Sequence, residues 1–196
     1  DSKGSATGGS FDPFEAYWQK LADMGATSLE RLPYMDTTIG RERIRASYNG
    51  GLIVARREKG LLTRWSELFA RSVKAGLLPY RGSGINIHAS TGQVGRAASE
   101  YWGSNQAALA LTIWAETDRV IHYPACYNVP LHLVATQGDI DSTWSAQPPV
   151  HLHYHWMFQP EYHEIAMELM AKLGVPEDRL AWLARRIPLQ GTLASS

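Results

Sequence analysis

The sequence lacks several features that would assign it to a particular setting. It has one cysteine, Cys126, no net charge and no apolar run of bilayer length. A single cysteine excludes an internal disulfide, which is typical of a reducing compartment. Because 19 Lys and Arg balance 19 Asp and Glu, no overall field attracts nucleic acid or anionic lipid. These absences predict a cytoplasmic protein with no membrane span and no nucleic-acid partner.

The length of 196 residues predicts one domain, since such a chain can bury a substantial core. The first ten residues, DSKGSATGGS, are small and polar, and they lack the basic and apolar regions of a signal peptide. We therefore expect a flexible lead over 1–10 and a single α/β domain over 11–196. Two C-terminal helices between 160 and 187 are expected to pack on this domain.

The order of helical and strand-like stretches predicts the fold class. Apolar residues recur at helical spacing over 13–24, in GLLTRWSELFARSVKAG (60–76) and over 93–114. Strands are predicted in RIRASYNGGLIVARR (43–57), RVIHY (119–123) and PLHLVA (130–135). Because strands and helices alternate, the sequence predicts an α/β fold with a mixed twisted sheet flanked by helices.

Three of the seven histidines alternate in the stretch VHLHYHWMF, residues 150–158. On a β-strand, His151, His153 and His155 line one face, while the apolar residues between them line the other. The apolar face predicts contact with a core. The histidine face predicts contact with a metal or a ligand, and a solvated strand face is the alternative.

Three stretches, taken in chain order, carry a family resemblance: SYNGGLIVARR, WGSNQAALALTIWAETDRVIHYPACYNVPL and VHLHYHWMFQP. They resemble the C-terminal half of a nucleotide-sugar glycosyltransferase of the GT-A fold, nearest the family that includes glycogenin and bacterial galactosyltransferases. Each motif alone is weak, and their order and spacing give the resemblance its specificity. The resemblance implies transfer of a hexose from a nucleotide sugar to an acceptor.

The resemblance also implies roles for individual residues. His153 falls on the histidine that binds a divalent cation in this family, which implies Mn²⁺ or Mg²⁺ to neutralise the diphosphate leaving group. Gln106 matches the glutamine placed near the reacting sugar carbon, and Asn105 stands where the family usually has Asp. Contacts with the substrate are expected at four further positions: Asn49, Trp102, Asn128 and His155.

The sequence departs from the family pattern at three points. Asn105 cannot ionise, and Gln159 cannot supply the charge with which the family's Lys meets diphosphate. The family's Asp-x-Asp motif and nucleotide-binding half precede the first stretch, whereas the Asp139-Ile140-Asp141 triplet follows the second. That triplet lies among Gly, Ser and Thr residues, a composition typical of a turn. We therefore expect a truncated relative that is inactive alone.

A second hypothesis comes from a different functional class. The chain would be a non-catalytic binding or assembly module that keeps an aromatic-lined cleft. Loss of half a twisted sheet exposes strand edges and apolar surface, and self-association covers them. This hypothesis predicts a homodimer.

Overall fold

The computed structural model describes residues 5–38, 41–49, 51–80, 88–89, 92–93, 95–137, 147–153 and 159–186. The chain divides into two compact units. Unit 1 comprises Asp1–Asn86 and Gly95–Ile121, and unit 2 comprises Ile87–Val94 and His122–Ser196. Helices and three two-stranded sheets occur among the described residues, which confirms the α/β class in its general form.

Unit 1 contains four helices and one antiparallel strand pair among its described residues. They are α1 Glu15–Met24, β1 Tyr34–Asp36, β2 Arg43–Arg45, α2 Leu61–Lys74, α3 Arg96–Glu100 and α4 Ser104–Glu116. Strand β1 pairs with β2 so that Met35 lies opposite Ile44. The predicted helices over 13–24 and 60–76 are confirmed as α1 and α2.

The core of unit 1 lies where α1, α2 and α4 pack together. Trp18 and Leu21 of α1 and Leu111 of α4 are fully buried. The middle of α4 reads Ala-Ala-Leu-Ala-Leu, and all five residues are buried. Short alanine side chains allow the neighbouring helices to approach α4 closely, because they add little bulk to its surface. The arrangement fixes α4 in the centre of the unit.

The flexible lead predicted for 1–10 is wrong from Ser5 onward. Ser5, Ala6 and Thr7 are buried, and the indole Nε1 of Trp18 donates to the backbone oxygen of Ser5 at 2.6 Å. The backbone N of Arg45 donates to the oxygen of Thr7 at 2.8 Å. Small polar residues are tolerated in the interior because these hydrogen bonds satisfy their backbone. Composition alone gave no sign of these long-range partners.

A partly buried ion pair between Arg45 of β2 and Glu15 of α1 also contacts the N-terminal segment. The Arg45 guanidinium donates to the Glu15 carboxylate at 3.0 Å and to the backbone oxygen of Leu29 at 2.9 Å. The Thr7 hydroxyl donates to the other oxygen of Glu15 at 2.6 Å. The Glu15 carboxylate therefore compensates the charge of Arg45 inside the unit, and both of its oxygens accept hydrogen bonds.

Unit 2 contains short strands and three helices among its described residues. They are β3 His88–Ala89, β4 Gly92–Gln93, β5 Val129–Pro130, α5 Leu131–Gln137, β6 Leu152–His153, α6 His163–Lys172 and α7 Glu177–Ala184. Helix α6 packs against α5 and α7. Its buried face carries His163, Ala166 and Met170. The two C-terminal helices predicted between 160 and 187 are confirmed as α6 and α7.

Three strand predictions differ from the structure. PLHLVA forms most of helix α5, and RVIHY has no regular secondary structure. In the stretch around 43–57, the strand ends at Arg45, and Leu52 and Val54 are exposed. Short apolar runs do not distinguish a strand from a buried helical turn, and this ambiguity explains the error at α5. The Asn49 side chain accepts a hydrogen bond from Gly51 N at 2.9 Å, so a local turn replaces the strand there.

In the part of the chain that the structure describes, every helix is too short or too polar to cross a lipid bilayer.

Candidate functional site

The predicted site residues are divided between the two units. Four of them lie in unit 1: Asn49, Trp102, Asn105 and Gln106. Asn128 and His153 lie in unit 2. His155 and the Asp139-Ile140-Asp141 triplet lie outside the described residues.

Two of the three resembling stretches meet in unit 2. Strand β5 runs parallel to β6, with Val129 opposite Leu152 and Pro130 opposite His153. The backbone N of Val129 donates to the oxygen of His151 at 3.0 Å. The segment that contains Asn128 therefore lies directly beside the histidine segment, although more than twenty residues separate them in the sequence.

Asn128 and His151 form a hydrogen bond across these segments. The imidazole Nδ1 lies 3.2 Å from the Asn128 side-chain oxygen. A neutral ring that donates through Nδ1 keeps the Nε2 lone pair available. Both side chains are half-buried, so the pair is partly accessible to a ligand.

A second imidazole, not predicted as a site residue, lies beside His153. The ring centres of His132 and His153 are 5.7 Å apart, and the rings are inclined at 70°. His132 is the second residue of α5, which follows β5 without a break. We call Asn128, His132, His151 and His153 the histidine group. His132 lies in PLHLVA, which the sequence predicts as a strand, and no motif marks it as a site residue.

An aromatic pair adjoins the histidine group in the chain. The rings of Tyr123 and Tyr127 are stacked, with centres 4.9 Å apart and an angle of 25°. Tyr123 is 49% exposed, and Tyr127 directly precedes Asn128. Exposed aromatic faces beside amide and imidazole groups are typical of sites for flat or sugar-like ligands.

The donor atoms of the histidine group do not fit Mn²⁺ or Mg²⁺ well. Both ions prefer carboxylate, carbonyl and water oxygens, whereas three of the four side chains of the histidine group are imidazoles and the fourth is an amide. Within the described ranges, no cluster of three or more His, Cys, Asp or Glu side chains has a geometry that could hold a metal ion. We therefore derive no chemical step through either cation.

In unit 1, Asn105 and Gln106 lie in the first turn of α4. The helix predicted over 93–114 is interrupted at Gly103, which has a positive φ of 77°. The backbone oxygen of Asn105 accepts a hydrogen bond from the indole of Trp65 at 2.7 Å, and its side-chain oxygen accepts one from Gln106 N at 3.0 Å. Trp102, half-buried, immediately precedes the interruption.

The side-chain oxygen of Gln106 is buried without a hydrogen-bond partner. An unsatisfied buried carbonyl costs about 1–3 kcal/mol, so proteins retain such groups mainly where they serve a purpose. An unpaired side-chain oxygen is compatible with the predicted role of Gln106 near a substrate. The observation concerns unit 1 alone.

Asn49 lies near the opposite end of α4 from Gln106. The hydroxyl of its neighbour Tyr48 accepts a hydrogen bond from the Trp114 indole at 2.9 Å. Burial raises the pKa of Tyr48, and the Trp114 hydrogen bond offsets part of this rise. Eight residues separate Gln106 from Trp114, which is about 12 Å along a helix axis. The first two resembling stretches therefore pack together, but α4 separates their predicted site residues.

The chain matches no protein-family model, and no curated protein or solved structure matches it.

Proposed function

We propose that the chain is a glycosyltransferase-like protein that binds a nucleotide sugar or a sugar acceptor through the histidine group and the adjacent tyrosines. The observation that carries the proposal is the pairing of β5 with β6. It brings together two segments that the resemblance assigns to one site, and it joins them by the hydrogen bond between Asn128 and His151.

The chemistry of these side chains supports a sugar ligand. Amide and imidazole groups both donate and accept hydrogen bonds, which suits the paired hydroxyls of a hexose. The exposed part of the Tyr123–Tyr127 pair offers apolar area for the opposite side of a sugar ring or for a base. The ligand class therefore follows from polar groups set beside an aromatic surface.

The proposal includes weak donor binding and no turnover by this chain alone. Gln159 stands in place of the family's Lys, and residues 1–46, which precede the first resembling stretch, contain no Asp-x-Asp. Each lost charge-assisted contact is worth about 1.5–3 kcal/mol, so two losses weaken diphosphate binding by a hundredfold or more. We propose the GT-A fold for this chain together with this function.

Calorimetry and saturation-transfer NMR with UDP-hexose, UDP and free hexoses test the proposal. We expect weak binding of at least one of them, reduced roughly tenfold in Asn128→Ala through the loss of one hydrogen bond. Tyr127→Ala should reduce it by a similar factor through lost stacking. Gln19→Ala, which removes an amide from an exposed position on α1, is the matched control.

Two results would contradict the proposal. One is the absence of binding for every nucleotide and sugar tested at millimolar concentration. The other is binding that Asn128→Ala and Tyr127→Ala leave unchanged. Steady release of UDP from UDP-hexose that Gln106→Ala abolishes would instead restore full catalysis to the chain.

A further inference from the structure

We infer that His132 and His153 form a two-imidazole site for a nitrogen-preferring transition-metal ion such as Zn²⁺ or Co²⁺. This site shares His153 with the Mn²⁺ or Mg²⁺ site expected from the sequence, and it differs in its second ligand, His132, and in its metal. It does not rest on nucleotide-sugar binding, because the metal alone is the ligand.

The fold places the two imidazoles by a short connection. Pro130 is the register partner of His153, and α5 begins at the next residue, Leu131. His132 thus follows the β5–β6 pairing by two residues, and α5 contacts β6. Because a strand pair and the first turn of a helix hold both rings, little conformational entropy is lost when an ion binds.

The separation of the rings suits one shared ion. With metal–nitrogen distances of about 2.0 Å, two imidazoles on one tetrahedral ion have ring centres roughly 5 Å apart. The observed separation of the ring centres is 5.7 Å, which is close to this value. Parallel stacking at close contact would prevent a shared ion, whereas the observed 70° inclination does not.

The donor type selects the metal. Imidazole nitrogen is a preferred ligand of Zn²⁺, Co²⁺, Ni²⁺ and Cu²⁺, and Mg²⁺ discriminates strongly against it. We propose these two imidazoles as the protein ligands, and water can occupy coordination positions that the protein does not fill.

His163 is the histidine of α6 that must be separated from this pair by experiment. It is buried, its Nε2 has no hydrogen-bond partner, and α6 packs against α5. His122, in contrast, is exposed in the same unit. The chain therefore offers one exposed histidine as a control and one buried histidine as a competing explanation.

The test is titration of the full chain with Co²⁺ and Zn²⁺, without nucleotide. We expect one ion per chain and a Co²⁺ visible spectrum typical of nitrogen ligands. His132→Ala and His153→Ala should each weaken binding at least tenfold, and His122→Ala should leave it unchanged. Mg²⁺ should not compete at equal concentration.

A second measurement uses the wild-type chain and does not depend on variants that fold. Paramagnetic Co²⁺ should shift the ring signals of His132 and His153 in NMR spectra.

Absence of binding by Co²⁺ and Zn²⁺ would overturn the inference, and so would equal binding of Mg²⁺. It would also be overturned if His122→Ala or His163→Ala weakened binding as much as His132→Ala does while the His132 signals stayed unshifted. Metal binding without any nucleotide or sugar binding would support this inference and remove the proposed function. Sugar binding without metal binding would do the reverse.

Discussion

The hydroxyl of Tyr17 lies in the core of unit 1 without a hydrogen-bond partner. Burial raises the pKa of Tyr17 above its ordinary value of 10.0, because the interior disfavours the phenolate. The ring contributes apolar packing, whereas the oxygen contributes no bond to offset its lost hydration. A substitution that removes the Tyr17 oxygen and keeps the ring therefore separates the effect of the hydroxyl from that of apolar packing.

We predict that Tyr17→Phe leaves stability at neutral pH unchanged or raised by about 1 kcal/mol, since it removes an unsatisfied buried group. At high pH the wild type should lose more stability than the variant. The folded pKa is raised, so stability is fully present below pH 10 and falls as the unfolded tyrosine ionises, by up to about 1.4 kcal/mol per pH unit. Urea unfolding at pH 7, 9 and 11 measures both effects.

Tyr123→Phe is the control for Tyr17, because it removes the same oxygen from an exposed side chain of the other unit. It should leave the pH dependence of unit 1 unchanged. A loss of more than about 2 kcal/mol for Tyr17→Phe at pH 7 would mean that the hydroxyl makes a hydrogen bond in solution.

The junction between α3 and α4 depends on Gly103. Its φ of 77° is unfavourable for other residues, and a Cβ at this position would lie 2.6 Å from the Ser5 hydroxyl. The N-terminal segment therefore packs directly against the turn that starts α4. This contact links the position of Ser5 to that of Asn105 and Gln106, which follow in the first turn.

We predict that Gly103→Ala destabilises unit 1 by about 1–3 kcal/mol from backbone strain, with an added penalty from contact with Ser5. Gly60→Ala is the matched control. Gly60 also precedes a helix with positive φ, but a Cβ there meets nothing within 4 Å. Ser5→Ala should recover the added penalty in the Gly103→Ala background. Thermal unfolding of Gly103→Ala, Gly60→Ala, Ser5→Ala and the double variant that combines Ser5→Ala with Gly103→Ala measures these differences.

Equal destabilisation by Gly103→Ala and Gly60→Ala, without recovery by Ser5→Ala, would show that the N-terminal segment does not press on the junction in solution. Greater destabilisation at Gly60 would contradict the packing at Gly103 altogether.

Helices with a long amphipathic pattern were predictable from the sequence. The apolar positions of α1 and α2 recur at 3.6-residue spacing, and tertiary contacts add to that preference. The helix at α5 was not predictable, since it has only seven residues and an apolar pattern that also suits a strand. Local pattern therefore determines the long elements, and packing determines the short ones.

The candidate site was predictable only where a motif marked it. Asn128 and His153 were expected from the resemblance, and β5–β6 pairing places their segments side by side. His132 was not expected, because its contact with His153 depends on where the chain turns after Pro130. Spacing in a sequence does not encode such long-range contacts, which form only when separate segments pack.

At the scale of the whole molecule, the three sheets that the structure describes each contain two strands. Every strand in them is therefore an edge strand, and edge strands are common sites of association between chains. The apolar Val150, two residues before β6, is 63% exposed. The homodimer expected from the sequence stays a prediction, and the β5–β6 pair is the edge at which we expect association.

We predict that the chain of 21.8 kDa sediments as a dimer at micromolar concentration and dissociates on dilution. Val150→Lys should weaken association, because a charged side chain beside an edge strand must lose its hydration in the interface. Phe11→Lys makes the same change at a fully exposed apolar position outside the strands of unit 1, and it should leave the dimer intact. A monomer at every concentration tested would favour an edge that is closed within the chain. A dimer that Phe11→Lys dissociates and Val150→Lys does not would place the contact in unit 1. Association that persists at high salt would indicate burial of apolar surface, since salt screens attraction between exposed charges.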